Sequence, residues 1–343
     1  MQYYGTLGPA CGRVKILEEM LEAGMTGVRL NMSHGNLDEN GQWLKVLEVA
    51  VENLRAEKPQ ILIDLQGPEL RLGKIQMEFD VEEDQLIDIG MGGLPVPKML
   101  LDYAEVGDRI LLDDGKLEFE VESLFDADWK KTQDGEINDP EPLGVLALSA
   151  RVIRGGTVKS GKSLAIVGKE LPMPTLTEND LKNIRLAKEY GVTGVMQPFV
   201  RNKEDLQAVR AVLEEAGAEE IQIFAKIENI QGVAALEELL PYCDHVVIAR
   251  GDLGNAMPLW KLPRVQKEIA AKCRAAGKPF MVVTQMLDSM HHRAVPTRAE
   301  VLDIYNAVLD GAASLMLTGE TAAGMYPVEA MEYLVKTGEE AQK

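Results

Sequence analysis

Residues 221–257 read IQIFAKIENIQGVAALEELLPYCDHVVIARGDLGNAM, and this stretch decides the fold. An apolar run, IQIFAKIEN, is followed by a segment of helical spacing and then by a second apolar run, HVVIARGD. Strand, helix and strand in this order make a parallel pair joined by a helical crossover. Both apolar runs end in charge. Successive strand residues point to opposite faces, so Lys226 and Glu228 share a face, and Arg250 and Asp252 are expected to share one by the same spacing. A cation and two carboxylates at the C-terminal ends of neighbouring strands suit a metal ion and an anionic substrate. Two ordinary salt-bridged strand ends are the simpler reading of the same residues.

The alternation extends in both directions. On the N-terminal side, Gly5 to Ala10 is β-like, and a helix is expected from Arg13 to Glu22, ended by Gly24. GVRLNMSHG is a strand running into a loop, with Arg29, Asn31 and Ser33 expected on one face. Asp38 is the expected cap of a helix reaching Glu57, and QILIDLQG is a third strand with Asp64 near its end. On the C-terminal side, Thr177 is an expected N-cap with Glu178 and Asp180 in the first turn. Helix to Tyr190, strand GVMQPF and helix Lys203 to Ala216 lead into the opening stretch. Beyond it come helix Pro263 to Ala276, strand PFMVVTQM, helix Arg298 to Leu309, strand ASLMLTGE and a helix from Pro327.

Between Gly67 and Thr177 the alternation stops. Short β-like runs (EFDVEEDQLIDIG, DRILLDDGKLEFEVES, GVLALSARVIRGGTV) are separated by Gly, Pro and acidic residues. A connection of roughly a hundred residues is far longer than a βα loop and reads as an inserted domain. Within it, Asp126 to Gly144 is polar and turn-rich and is expected to be a long exposed loop. Eight strand–helix repeats predict an α/β fold, a closed (β/α)8 TIM barrel with a small β-rich domain inserted after strand 3. The expected organisation is barrel over 1–69, inserted β lid domain over 70–170 and barrel again over 171–343. An open doubly wound sheet is the runner-up, but no Gly-rich dinucleotide fingerprint follows the first strand.

Composition narrows the function. Aromatics are only 5% of the 343 residues, so the core must be aliphatic and Met-rich. A net charge of −19 argues against nucleic acid and anionic membranes as partners, and an anionic ligand then needs a local cationic pocket or bound metal. The three cysteines, Cys11, Cys243 and Cys273, are scattered, form no zinc-like cluster and indicate a reducing, cytoplasmic setting. No signal peptide or apolar span of membrane length is read.

In such barrels the active site is built at the C-terminal strand ends. The polar residues there are Arg29, Asn31, Ser33 and His34; Asp64; Lys226 and Glu228; Arg250 and Asp252; Thr284 and Gln285; Thr318 and Glu320. Oxygen ligands and few histidines favour Mg2+ or Mn2+ over zinc. Cations beside a hard metal are what phosphoryl transfer requires.

TLGPA, GVRLNMSHG, DLQGPELRLG, AKIENIQGV, ARGDLG, AGKPFMVVTQML, PTRAEVLDIYNAVLDGA and LTGETAAGMYP together resemble the successive signature blocks of pyruvate kinase, in the family's order. The resemblance implies transfer of phosphate from phosphoenolpyruvate to ADP through a metal-stabilised enolate. It places Lys226 against the transferring phosphoryl group and the enolate oxygen, with Glu228 and Asp252 holding the divalent metal. Arg29 would bind phosphate, and Asn31, Ser33, Asp64 and the Leu65 carbonyl would hold K+, whose requirement Glu69 also suggests. Thr284 would orient a proton-donating water near the methylene carbon. The backbone around Ala249, Arg250 and Gly251, next to Asp252, would receive the substrate carboxylate. His34, Arg71 and Lys162 would contact nucleotide, although SGKS around Lys162 lacks the glycine spacing of a P-loop.

Departures from the family pattern leave other readings open. Gln66 replaces a usual lysine, Ala256 replaces a usual glutamate, and Ser163 to Met173 lacks the usual Asn-Leu-Pro-Gly. Family members usually continue into a further domain that carries an effector site and one subunit interface. Its absence from this sequence removes the expectation of the usual tetramer and admits a homodimer through the barrel. The alternatives are a metal-dependent enolate-forming lyase, such as an oxaloacetate decarboxylase, and a non-catalytic metabolite- or partner-binding member.

Overall fold

The computed structural model describes residues 1–113, 115–126, 145–169 and 171–343. The polar stretch read as a long loop falls almost wholly outside the described residues. In chain order the elements are β1 (Gln2–Thr6), α1 (Val14–Glu22), β2 (Gly27–Asn31), α2 (Leu37–Leu54) and β3 (Gln60–Asp64). Next come β4 (Leu70–Arg71), β5 (Phe79–Val81), β6 (Leu86–Gly90), α3 (Lys98–Tyr103), β7 (Arg109–Leu112), β8 (Leu117–Asp126), β9 (Val145–Arg154), β10 (Gly156–Val158) and β11 (Ser163–Ile166). Then follow α4 (Glu178–Leu186), β12 (Gly194–Gln197), α5 (Lys203–Glu215), β13 (Gln222–Ile227), α6 (Ile230–Leu239), β14 (His245–Ala249) and α7 (Arg250–Asn255). The last elements are α8 (Leu262–Ala275), β15 (Phe280–Val283), α9 (Arg298–Leu309), β16 (Ser314–Leu317), α10 (Gly319–Ala322) and α11 (Pro327–Ala341).

Eight strands close into a parallel barrel in the order β1-β16-β15-β14-β13-β12-β3-β2. Both faces of each strand are covered, which is why the strands read as unbroken apolar runs. In β14, Val247 points into the barrel with Met281 and Met316, while Val246 and Ile248 face the helical layer. Tyr4, Leu62, Met196 and Phe224 complete the barrel filling, so the interior is packed rather than hollow.

The chain divides into two compact units, Met1–Gly67 with Thr175–Lys343 and Pro68–Pro174. The second contains a six-stranded sheet ordered β4-β11-β7-β8-β9-β6 and a two-stranded sheet, β10-β5. Ile110, Leu112, Phe119, Val121, Leu148, Ala150 and Val152 form its own apolar core.

Capping fixes where helices begin. Thr177 caps α4 and its hydroxyl accepts from the Asp180 amide, as its sequence suggests. The cap of α2 is Asn36, whose side chain accepts from the Glu39 amide, rather than Asp38. Asn36 and Asp38 are equally good capping residues, and the reciprocal bond from Glu39 selects the earlier one. Strand alternation also ends sooner than read at two places. Ser33 lies in a 3-10 turn over Met32–His34, and Arg250 opens α7 directly after β14. Ser33 therefore does not extend the face of Arg29 and Asn31, and Arg250 and Asp252, about 200° apart on a helix, do not share one.

Candidate active site

The C-terminal strand ends bring four ionisable groups into one buried cluster. Arg29, the middle residue of β2, ion-pairs through Nη2 with Asp64 Oδ2 at 2.5 Å, while its Nε donates to the same oxygen at 3.0 Å. Its Nη1 also donates to Thr6 Oγ1 at 3.3 Å. Lys226 Nζ lies 3.2 Å from Asp64 Oδ1 and 3.4 Å from Glu228 Oε2. Lys226 and Glu228 thus share a face as the strand period requires. The Lys226 side chain is only 13% exposed and that of Glu228 is fully buried.

Burial and charge act on each group differently. Burial favours neutral forms, but Lys226 and Arg29 outweigh it at Asp64 and hold that carboxyl below the usual range. Burial alone would also lower Lys226, yet Asp64 and Glu228 reverse the effect and keep the ammonium charged above the usual lysine range. Glu228 goes the other way. Desolvation pushes its carboxyl up to about 8, Lys226 opposes this, and Asp252 and Asp64 add to it. Its Oε1 accepts from the Phe199 amide at 2.7 Å, a bond made by a residue in left-handed backbone (φ 53°).

These observations fit a divalent cation. Glu228 Oε2 and Asp64 Oδ1 are buried and accept no hydrogen bond. Asp252, in the first turn of α7, couples electrostatically to Glu228. Among the described residues no group of three or more His, Cys, Asp or Glu could hold a metal by itself. Two carboxylates with the remaining positions left to substrate and water is how Mg2+ is commonly held. For K+, Asn31 Oδ1 turns back to accept from the Ser33 amide at 3.1 Å, next to β3, where Asp64 ends the strand and the buried Leu65 follows.

Arg250, whose backbone alone is read from sequence as part of the substrate cradle, uses its guanidinium structurally. It donates from Nη2 to the Thr284 carbonyl at 2.7 Å and to the Gln285 carbonyl at 3.2 Å, and from Nε to the Val283 carbonyl at 3.3 Å. Nη1 pairs with Asp303 at 2.5 Å. What this leaves for a ligand is the backbone from Ala249 through Gly251. Thr284 and Gln285 both have positive φ, 75° and 54°. Left-handed backbone at a β-branched residue costs on the order of 1–3 kcal/mol and persists only where surroundings impose it. A Cβ on Gly251 would sit 3.1 Å from Thr284 Cγ2, so the glycine gives that side chain its place.

In the inserted unit, Arg71 pairs with Glu69 at 2.5 Å and donates to the Gly161 carbonyl at 2.8 Å, and Lys162 pairs with Asp113 at 3.0 Å. Leu72 donates to the Lys162 carbonyl, so these two cations stand on adjacent strand ends. His34 is exposed at the end of the turn after β2. Sequence reading missed Phe199, Asp303 and Thr6 as supports of the site, because backbone donors and second partners leave no residue-type signature. It also read Asp180 as a first-turn acid only. Asp180 is fully buried and accepts from the Gln66, Gly67 and Thr177 amides, joining the chain's exit from the barrel to its return.

Comparison with known proteins agrees with this architecture. The family model described as pyruvate kinase, barrel domain, matches residues 2–331. Similar proteins include the pyruvate kinase of Bacillus licheniformis, 38% identical over 336 residues that cover 95% of this chain and 54% of the relative. That of Geobacillus stearothermophilus has the same identity and coverage. The pyruvate kinase of Aeropyrum pernix is 35% identical over 341 residues, covering 98% of this chain and 70% of the relative. The chain spans about half the length of the first two relatives.

Proposed function

This chain belongs to the pyruvate kinase family, and we propose that it transfers a phosphoryl group from phosphoenolpyruvate to ADP, giving pyruvate and ATP. The observation that carries the reading is the buried Lys226 ammonium, held charged between Asp64 and Glu228 beside the Arg29–Asp64 pair. In the reaction the bond from the enol oxygen to phosphorus breaks and a terminal ADP oxygen bonds to phosphorus. The electron pair left behind forms an enolate, and its methylene carbon takes a proton. Such transfers need positioning and charge neutralisation more than covalent help.

Each residue has a part in this. Lys226 neutralises the phosphoryl group in transit and then the enolate oxygen, and its raised pKa keeps it a cation throughout. Arg29, aimed by Asp64, binds the phosphate. The Ala249–Gly251 backbone receives the substrate carboxylate, and Thr284 orients the water that protonates the methylene carbon. A divalent cation, Mg2+ or Mn2+, held by Glu228 and Asp252, would supply positive charge beside the substrate oxygens. Asn31, Ser33, Asp64 and the Leu65 carbonyl are assigned to K+. Arg71 and Lys162 are assigned to nucleotide phosphate, and His34 to nucleotide contact.

Three buried free cysteines suit a reducing cytoplasm. Among the described residues no helix is long and apolar enough to cross a membrane. A homodimer through the barrel is the proposed assembly.

Pyruvate release from phosphoenolpyruvate and ADP, measured with and without Mg2+ and K+, tests the reading. Gln66 and Ala256 sustain a second one, decarboxylation of oxaloacetate at the same lysine and carboxylates. Pyruvate formed from oxaloacetate, with none formed from phosphoenolpyruvate, would select it.

A further inference from the structure

We infer that Arg250 is a positioning residue for the protonation step, acting through Thr284 by clamping a strained turn at the end of β15. The inference rests on the phosphotransfer reading of the site. Thr284 and Gln285 are the only adjacent non-glycine residues with positive φ among the described residues. A threonine does not adopt that backbone unaided, because its branched Cβ crowds its own peptide. Something must hold it, and the guanidinium of Arg250 reaches the carbonyls of all three residues that form the bend, Val283, Thr284 and Gln285.

The clamp is built to be rigid. A guanidinium is planar, so its donors have fixed directions, and a cationic donor makes shorter, stronger bonds than a neutral amide. Asp303 on α9 anchors the far side of the fork at 2.5 Å. The Arg250 side chain is 12% exposed, which leaves it little freedom to swing away. Arg250 is also followed directly by Gly251, whose bare Cα lies under the Thr284 side chain, and then by the metal-holding Asp252. One short segment thus carries the backbone assigned to substrate, a carboxylate assigned to the metal, and the fork that holds the Thr284 turn. A lysine would keep the charge but offer one prong in place of a fork.

The consequence is a split between chemistry and binding. If Arg250 acts through Thr284, losing it misplaces the hydroxyl by a fraction of the turn's height. Misplacement of about 1 Å costs roughly 100-fold in rate while contacts elsewhere on the substrate persist. The affected step can be read alone by running it backwards. A pyruvate methyl C–H bond breaks, its proton passes through the oriented water to solvent, and the electron pair enters the enolate. In D2O this appears as loss of the methyl proton signal.

The experiment compares wild type, Arg250→Met, Arg250→Lys, Thr284→Ala and the double variant Arg250→Met/Thr284→Ala, by kcat, by KM for phosphoenolpyruvate and by methyl exchange in D2O. Arg250→Met should lower kcat and exchange roughly 10- to 100-fold with KM changed by less than about threefold, Arg250→Lys should not rescue, and the double variant should match the worse single variant. Losses that multiply in the double variant, or rescue by lysine, would overturn the inference. Should Arg250→Met fail to fold, Asp303→Asn, which frees only one arm of the fork, should give the same split at smaller size, and its absence would count against the clamp. A crystal structure of the variant reads the clamp without any turnover. Thr284 and Gln285 relaxing to negative φ supports it, and positive φ retained at both refutes it. An inactive wild type, by contrast, removes the phosphotransfer reading and leaves the crystallographic test standing.

Discussion

Replacing Glu228 with glutamine should make the metal-free protein more stable while destroying its response to metal. The carboxyl is fully buried and is raised from its ordinary 4.5 to about 8 by desolvation, with Asp252 and Asp64 adding to the effect. A raised acid favours the native state while protonated. Its contribution is therefore complete below about pH 4.5 and is lost as pH rises, until the loss levels off above about 8. At pH 7 the loss is about 3 kcal/mol, and at pH 8 it is roughly 4 kcal/mol. Glutamine has no such titration and can still accept from the Phe199 amide. Its amide hydrogens face the Lys226 ammonium, so the net gain expected at pH 7 is about 2 kcal/mol. For a unit of this size that corresponds to a midpoint roughly 4–8 °C higher. Thermal unfolding of wild type and variant, in chelator and in MgCl2, at pH 6 and pH 8, checks this. The gap between them should widen with pH in chelator, and Mg2+ should stabilise only the wild type. A variant that melts below wild type at pH 8 in chelator, or that gains equally from Mg2+, would refute the reasoning.

Other substitutions separate the parts of the site. Asp252→Asn should weaken Mg2+ or Mn2+ binding and lower pyruvate formation by orders of magnitude with little change in far-ultraviolet circular dichroism, and unchanged metal dependence would show the site misplaced. Lys226→Met should lose turnover by roughly 1,000-fold or more, since it removes the charge beside the transferring group in a site shielded from water. Asp180→Ala leaves the amides of Gln66, Gly67 and Thr177 without their acceptor, and a stability loss of about 3 kcal/mol or more is expected in denaturant titration.

The barrel was legible in the sequence because β12 to β16 are buried on both faces, so each is an apolar run bounded by charge and turn residues. The insertion was legible for the complementary reason, that its strands alternate and carry acids between them. Lys226 and Glu228 could be placed together because strand period alone fixes their face. The reading failed where local geometry departs from the element that precedes it. ARGDLG alternates well enough to pass for more strand, yet Arg250 begins a helix and its guanidinium bonds to the Thr284 turn. Nothing in VVTQML marks two left-handed residues, since threonine and glutamine both disfavour that backbone. The supports of Glu228 and Asp180 are main-chain amides, which every residue has, so only the folded chain reveals them.

The central claim is that Lys226 and its carboxylates carry out phosphoryl transfer. Its most direct test is the rate of pyruvate formation from phosphoenolpyruvate and ADP by the purified chain and by Lys226→Met, with Mg2+ and K+ present. Wild-type turnover is expected to require Mg2+ and to fall to background in the variant. Background-level pyruvate from both, or equal turnover by both, would contradict it.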